Sequence, residues 1–372
     1  MKTKPTVSIL AAGEFPKLFD VLHELGYQII GPTVRDNAVV YEPIDTADEL
    51  PEGWTDEQSN GRYRLTHGKR KSYFGYVHGP FSWKTYLYPP SRPLYRAQRE
   101  GNRFDIAAEN GGAPKQAFLG VRSCELAAIR IQDRVLLKGP FVDTAYRERR
   151  QNALIIAVNC TRAGGTCFCA SMKTGPRVSD GYDLALTEFA EGKQHYFVME
   201  SGSEQGSALL SRLPVSPASA EQIADVAKAV DKATRQMGRT LDVEGLKESL
   251  YKGFDSTQWE KVAGRCLTCG NCTLVCPTCF CVTVEEGTAL TGEQAFRVRR
   301  WDSCFTADFS YIHGGSIRAS DYSRYRQWLM HKLAYWQDQF GEIGCVGCGR
   351  CITWCPVGID LTEEARAVQT QR

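Results

Sequence analysis

Short apolar runs open the chain: V-S-I-L at 7–10, Y-Q-I-I-G-P at 27–32 and A-V-V-Y-E-P-I at 38–44. Between the first two, Leu18, Val21, Leu22 and Leu25 fall at three- and four-residue intervals and Gly26 follows. That pattern predicts a glycine-closed helix flanked by short strands, a small α/β start. From Gly53 to Pro93 the sequence is polar, aromatic and punctuated; Tyr63 with Leu65, and Tyr86 with Tyr88, alternate as in strands, with Gly and Pro marking turns. A-F-L-G-V-R-S-C from Ala117 predicts a buried strand ending at Ser123. Ser123 then caps a helix whose inner side carries Leu126, Ile129, Val135 and Leu136. A-L-I-I-A-V-N-C predicts the next strand, ending at Cys160.

Two further strands are expected in G-Y-D-L-A-L-T-E-F and H-Y-F-V-M-E-S-G-S. After them, Ser219 and Gln222 form a capping box at the head of a helix with Ile223, Val226, Val230 and Ala233 on one face. Leu329, Leu333 and Trp336 recur at helical spacing and predict a long helix near the C-terminus. The fold class expected is α+β: an α/β domain over 1–215, a helical linker over 216–255, and a helical, two-cluster ferredoxin-like domain over 256–372.

The last assignment comes from a repeat. Residues 266–277 read C-L-T-C-G-N-C-T-L-V-C-P and residues 345–356 read C-V-G-C-G-R-C-I-T-W-C-P. Each aims three thiols, Cys266, Cys269 and Cys272 or Cys345, Cys348 and Cys351, at three corners of a 4Fe-4S cube. In two-cluster ferredoxins the Cys before the proline ligates the other cluster. Cys276 is therefore assigned to the second triplet and Cys355 to the first. Gly270 and Gly349 are expected where the backbone approaches inorganic sulfide. A pair of structural zinc knuckles is the competing reading of C-x2-C, but zinc needs four ligands and no such repeated register.

Composition narrows the partners. The 372 residues carry a formal net charge of +2, which gives no electrostatic case for nucleic acid or an anionic membrane surface. Arg62, Arg64, Lys69, Arg70 and Lys71 form a local basic patch with aromatics interleaved, expected to be a solvated sheet face or a subunit contact. No run approaches a membrane span, and the apolar run at the N-terminus is too short for a signal peptide, so a soluble cytoplasmic protein is expected. Fifteen Cys, an odd number, then serve mainly to bind metal.

Other thiols lie outside the repeat. Cys124 and Cys160 follow predicted buried strands, at the edge where open α/β sheets gather ligands, and Cys167 and Cys169 follow on a glycine-bearing loop. A third cluster held by Cys124, Cys160, Cys167 and Cys169 is one reading; structural or reactive thiols are the other. Cys279, Cys281 and Cys304 are expected to be structural, with Cys279 replacing Cys276 as the alternative. Arg297, Arg299 and Arg300 either offset cluster charge or lie on a solvated strand face. For His313 and His331, the histidines nearest the motifs in sequence, packing or surface positions are expected, with a ligand role as the alternative. No G-x-G-x-x-G stands between a strand and a helix, there is no P-loop, and G-G-A at 111–113 is too weak to argue a nucleotide site. No catalytic residue is singled out: the chain has the parts of an electron conductor, relaying between a flavin site and a one-electron site on other subunits.

C-L-T-C-G-N-C-T-L-V-C-P-T-C-F-C, W-D-S-C downstream, and G-C-V-G-C-G-R-C-I-T-W-C-P-V-G-I-D resemble the beta subunits of cytosolic sulfhydrogenases, the NAD(P)-linked nickel-iron hydrogenases. The A-type iron-sulfur subunit of anaerobic sulfite reductase is similarly related. The resemblance extends to V-R-S-C-E-L-A-A-I, the C-F-C at 167–169 and M-K-T-G-P, and covers most of the chain beyond about residue 100. It implies an iron-sulfur subunit, not catalytic alone, that passes electrons between a flavin subunit binding NAD(P)H and the catalytic subunits of a hydrogenase or sulfite reductase. The eight motif cysteines carry over directly as cluster ligands. A free-standing iron-sulfur redox or sensor protein is the reading from another class.

Overall fold

The computed structural model describes residues 7–108, 112–192 and 194–370. The first six residues and Gly111 of the G-G-A tract lie outside that range. The fold is α+β.

Four strands, Gln28–Arg35, Gln116–Val121, Ala153–Val158 and Leu184–Glu191, run parallel at the centre of an eight-stranded sheet. Antiparallel Ala38–Pro43 forms one edge; Gln194–Ser201, Val7–Ala11 and Ser216–Pro217 extend the other. The central strands read as unbroken apolar runs because both faces are covered. Leu119, Ile156, Leu186 and Phe197 meet Leu18, Phe19 and Leu22 of helix Pro16–Glu24 on one face. Phe118 and Ile155, one residue out of phase, meet Leu126 and Ile129 of helix Ser123–Leu136 on the other.

Two local expectations are corrected. Tyr86 lies in a short helix, Lys84–Leu87, and Tyr88 ends it. Trp83 and Leu87, four apart, are the buried pair there, and Tyr86 donates its hydroxyl to the Tyr41 carbonyl at 2.8 Å. Ser123 is the first helical residue and Arg122 is the cap position. Its hydroxyl is occupied elsewhere, donating to the carbonyls of Thr174 and Arg177 at 2.9 and 2.7 Å. The Ser219 box forms as expected, with Gln222 N–H donating to Ser219 Oγ at 3.2 Å and Ser219 N–H to Gln222 Oε1 at 2.9 Å.

The insertion between the cysteine motifs opens with a hairpin, Val282–Thr288 with Gln294–Trp301. It pairs edge to edge with a hairpin from the N-terminal half, Ser91–Glu100 with Arg103–Ala108, in a four-stranded antiparallel sheet. A separate helical core gathers Leu246, Leu250, Trp259, Tyr325, Trp328, Leu329 and Leu333. The helix ahead of the second motif runs as Asp321–Met330, a π turn His331–Tyr335, and Trp336–Phe340, with Gly341 at φ 73° closing it. Among the described residues no helix is long and apolar enough to cross a membrane.

Candidate metal centre

The two cysteine motifs fold into the same turn. Thr268 and Gly347, at the third position of each motif, have φ of 48° and 64°; Gly270 and Gly349, at the fifth, have 72° and 78°. Each second left-handed residue heads a four-residue helix, Asn271–Leu274 or Arg350–Thr353, that carries the third thiol. The backbone N–H of Thr268 lies 3.4 Å from Cys266 Sγ, and that of Gly347 lies 3.4 Å from Cys345 Sγ. Glycine is required at the fifth position partly for its neighbours: a Cβ on Gly349 would stand 2.4 Å from the Thr166 carbonyl oxygen, and one on Gly270 2.8 Å from Ser303 Oγ.

Cys266, Cys269 and Cys272 line one cavity with Cys355 and Cys351, roofed by Phe305, Tyr325 and Trp328. Cys355 therefore faces the triplet of the other motif. The Cys355 loop is held by Ile359 N–H, 3.3 Å from Cys355 Sγ, and by Asn271 Nδ2, which donates to the Trp354 carbonyl at 2.5 Å. On the other side, Cys276 acts electrostatically on Cys345, Cys348 and Cys351. Burial pushes the Cys345 thiol up to about 12, and raises Cys272, Cys348 and Cys351 as well. Buried neutral thiols of this kind release their protons when they bind metal. Among the described residues no three His, Cys, Asp or Glu side chains gather tightly enough to hold a single metal ion. A cluster makes a different demand, because each thiolate binds a different iron, and four thiols spread round a cavity fit it.

Charges around these thiols come from residues that the sequence did not single out. Lys332 is 5% exposed, with Nζ 3.2 Å from Cys276 Sγ and 3.7 Å from Cys279 Sγ. Lys84 Nζ donates to the carbonyls of Cys276 and Cys279 at 2.9 and 3.1 Å. The Cys276 thiol is held well below its ordinary value by its hydrogen bond with Cys279, against burial, helped by the Lys332 ammonium and the Thr278 hydroxyl. Arg350, inside the second motif, is fully buried and pairs with Glu125 at 2.7 Å, while its Nε donates to the Gly79 carbonyl at 3.0 Å. Glu125 also accepts from Tyr41 Oη and Trp83 Nε1, both at 3.1 Å. That ion pair fastens the second motif to the α/β sheet.

By contrast, Arg297 and Arg300 pair with Glu286 and Glu285 of the same hairpin, and Arg299 pairs with Asp143 at the head of helix Thr144–Gln151. The basic patch is likewise peripheral, with Arg70 bonded to Glu191. The hairpin beneath it, Trp54–Ser59 with Arg62–His67, has a structural task at its tip. Gly61 N–H donates to the Ile352 carbonyl at 3.1 Å and Asn60 Nδ2 to that of Gly358 at 3.2 Å, so the tip clamps the Cys355 loop. His313 is exposed in a turn, whereas His331 is partly buried, with burial pulling its imidazole down to about 4.

Cys124, Cys160, Cys167 and Cys169 come together at the C-terminal edge of the parallel strands. Cys124 is in the first turn of the helix after Gln116–Val121, and Cys160 follows Ala153–Val158 by two residues. The loop carrying the other two packs on the second motif: Phe168 N–H donates to the Gly347 carbonyl at 2.9 Å, and Cys167 Sγ lies 3.9 Å from the Cys348 carbonyl. Cys169 and Cys348 are both in the electrostatic reach of Cys124, and Cys167 and Cys160 in that of Cys169. Small residues leave the room: a Cβ on Gly175 would stand 3.0 Å from Cys169 Sγ, and one on Gly164 3.3 Å from Cys167 Sγ. Arg122 is buried beneath, donating to the carbonyls of Phe74 and Tyr76 at 3.0 and 2.8 Å, with Nη1 4.0 Å from Cys160 Sγ.

Residues 265–359 match the family model of a 4Fe-4S dicluster domain. Over 349 residues, 93% of this chain and 93% of the relative, the sequence is 30% identical to sulfhydrogenase 2 subunit beta of Pyrococcus furiosus. No solved structure matches significantly. The shared length covers nearly the whole chain, and at that identity the chain belongs to the family of sulfhydrogenase beta subunits.

Proposed function

We propose that this chain is the electron-relay subunit of a nickel-iron hydrogenase complex, working in the cytoplasm between a flavin subunit that oxidises or reduces NAD(P) and the catalytic subunits. Cys266, Cys269, Cys272 and Cys355 hold one 4Fe-4S cluster; Cys345, Cys348, Cys351 and Cys276 hold the second. The observation that carries the reading is that Cys355 lines the cavity of the first triplet. Two clusters built from exchanged thiols sit close together, and the clusters supply one-electron chemistry when bound. The chain's own residues fix the thiols, exclude water with Phe305, Tyr325 and Trp328, and set charge with Lys332 and Arg350.

A third cluster at Cys124, Cys160, Cys167 and Cys169 extends the line on the far side of Cys348. At the other end Cys269 is exposed, and Leu267 and Val357, which line the same cavity, are exposed apolar side chains, which suits a partner subunit receiving electrons there. The native complex, purified anaerobically through this chain and analysed for metals, tests the function. Nickel and flavin in the complex are expected. Siroheme in place of nickel would assign the chain to a sulfite reductase, and purification as a lone chain would leave a free-standing redox protein.

A further inference from the structure

Cys281 and Cys304 remain outside every site described so far, and Cys279, which hydrogen-bonds to Cys276, has no cluster of its own assigned. Cys281 and Cys304 stand at the two feet of the inserted hairpin. Val282 pairs with Trp301, and Asp302 N–H donates to the Cys281 carbonyl at 2.9 Å, so the excursion returns the chain to its starting point with the two side chains adjacent. Cys279 precedes them on the same loop. All three line a cavity of about 360 Å³, together with Lys332, Arg318 and His331. Thiols kept for packing would fill a core; these border a space. No carboxylate lines it, and two cations do. That balance suits an anionic, thiolate-bound group.

We propose that Cys279, Cys281 and Cys304 are three protein ligands of a further iron-sulfur cluster seated in this cavity, with its fourth corner on the side where His331 forms the wall. Seating a preformed cluster exchanges no electrons; each thiol gives its proton to solvent as its sulfur binds iron. Lys332, which reaches both Cys276 and Cys279, stands between this cluster and the second motif's, and Cys304 lies within electrostatic reach of Cys272 of the first. The added centre therefore branches from the pair of motif clusters.

The inference rests on the reading of this chain as a cluster carrier, and the test separates the two. Full-length protein, isolated anaerobically and reconstituted with ferrous iron and sulfide, is compared with Cys281→Ser/Cys304→Ser. The variant is expected to bind about four fewer irons per chain while keeping the signals of the motif clusters. Unchanged iron in the variant would overturn the proposal and leave the relay function standing; a wild type without iron would overturn both. Should the variant fail to fold, iodoacetamide footprinting of the wild type decides. Cys279, Cys281 and Cys304 are expected to be protected in loaded protein and labelled after iron is chelated. Labelling of the three in loaded protein, or a Cys281–Cys304 disulfide there, would refute it.

Discussion

The C-terminal motifs and the sheet edge each bring several thiols together, by different routes. In the motifs a twelve-residue stretch sets the thiol spacing itself, through two left-handed residues, a four-residue helix and a cysteine-proline step. At the sheet edge, Cys124 and Cys160 are set by strands that must first assemble in parallel, and Cys167 and Cys169 by a loop docked on Gly347. Local sites can be read from spacing; assembled ones depend on packing. The two kinds meet at Cys348, where a motif cysteine borders the sheet-edge set.

The largest effect expected is loss of a whole cluster through exchange of partners. Cys355→Ser should abolish the signal of the cluster held by Cys266, Cys269 and Cys272, and Cys276→Ser that of the cluster held by Cys345, Cys348 and Cys351. Single-residue variants in each triplet give the reference EPR spectra; if each mutant loses only its own motif's cluster, the exchange is wrong. Next, Cys160→Ser/Cys167→Ser should lower iron content by about four per chain and leave the motif pair's spectrum in place. Unchanged iron would make the sheet-edge set structural and sharpen the contrast to one region with metal and one without.

The link between the regions is the third target. Arg350→Met leaves the Glu125 carboxylate buried without its cation, which should cost about 3–5 kcal/mol in urea unfolding. A cost near zero would mean that the α/β sheet and the second motif are held together by other contacts. The smallest effect concerns pH. His331 titrates at about 4 in the folded chain because it is buried, against about 6.5 when unfolded. As pH falls, the unfolded chain takes the proton first, so this contribution to stability is complete above about 6.5 and is lost as pH drops toward 4, to a total of roughly 3 kcal/mol. His331→Gln should flatten urea-unfolding midpoints measured between about pH 7 and pH 5; an unaltered slope would remove the effect from His331.

What sequence made legible follows the same division. The capping box at Ser219, the alternation of Tyr63 and Leu65, and the two motifs are local and appear as expected. Tyr86 and Tyr88 alternate in sequence, but a short helix was favoured there by burying Trp83 and Leu87 together. Lys332, Lys84, Arg350 and Glu125 carry the charge balance around the thiols, yet each comes from a different stretch. Their significance is created by contacts 192, 56 or 225 residues apart, which no local pattern records. Arg297, Arg299 and Arg300, inside the cysteine-bearing insertion, had carboxylate partners instead. The edge-to-edge joining of hairpins 91–108 and 282–301 was equally hidden, since two exposed-looking polar strands give no sign of which edge they will meet.

An electron relay in this chain requires that the repeated motifs hold iron and sulfide. Iron, acid-labile sulfide and zinc measured together on the anaerobically isolated full chain test that most directly. The prediction is brown protein with at least about eight irons and matching sulfide per chain. Colourless protein, or zinc in place of iron, would contradict it.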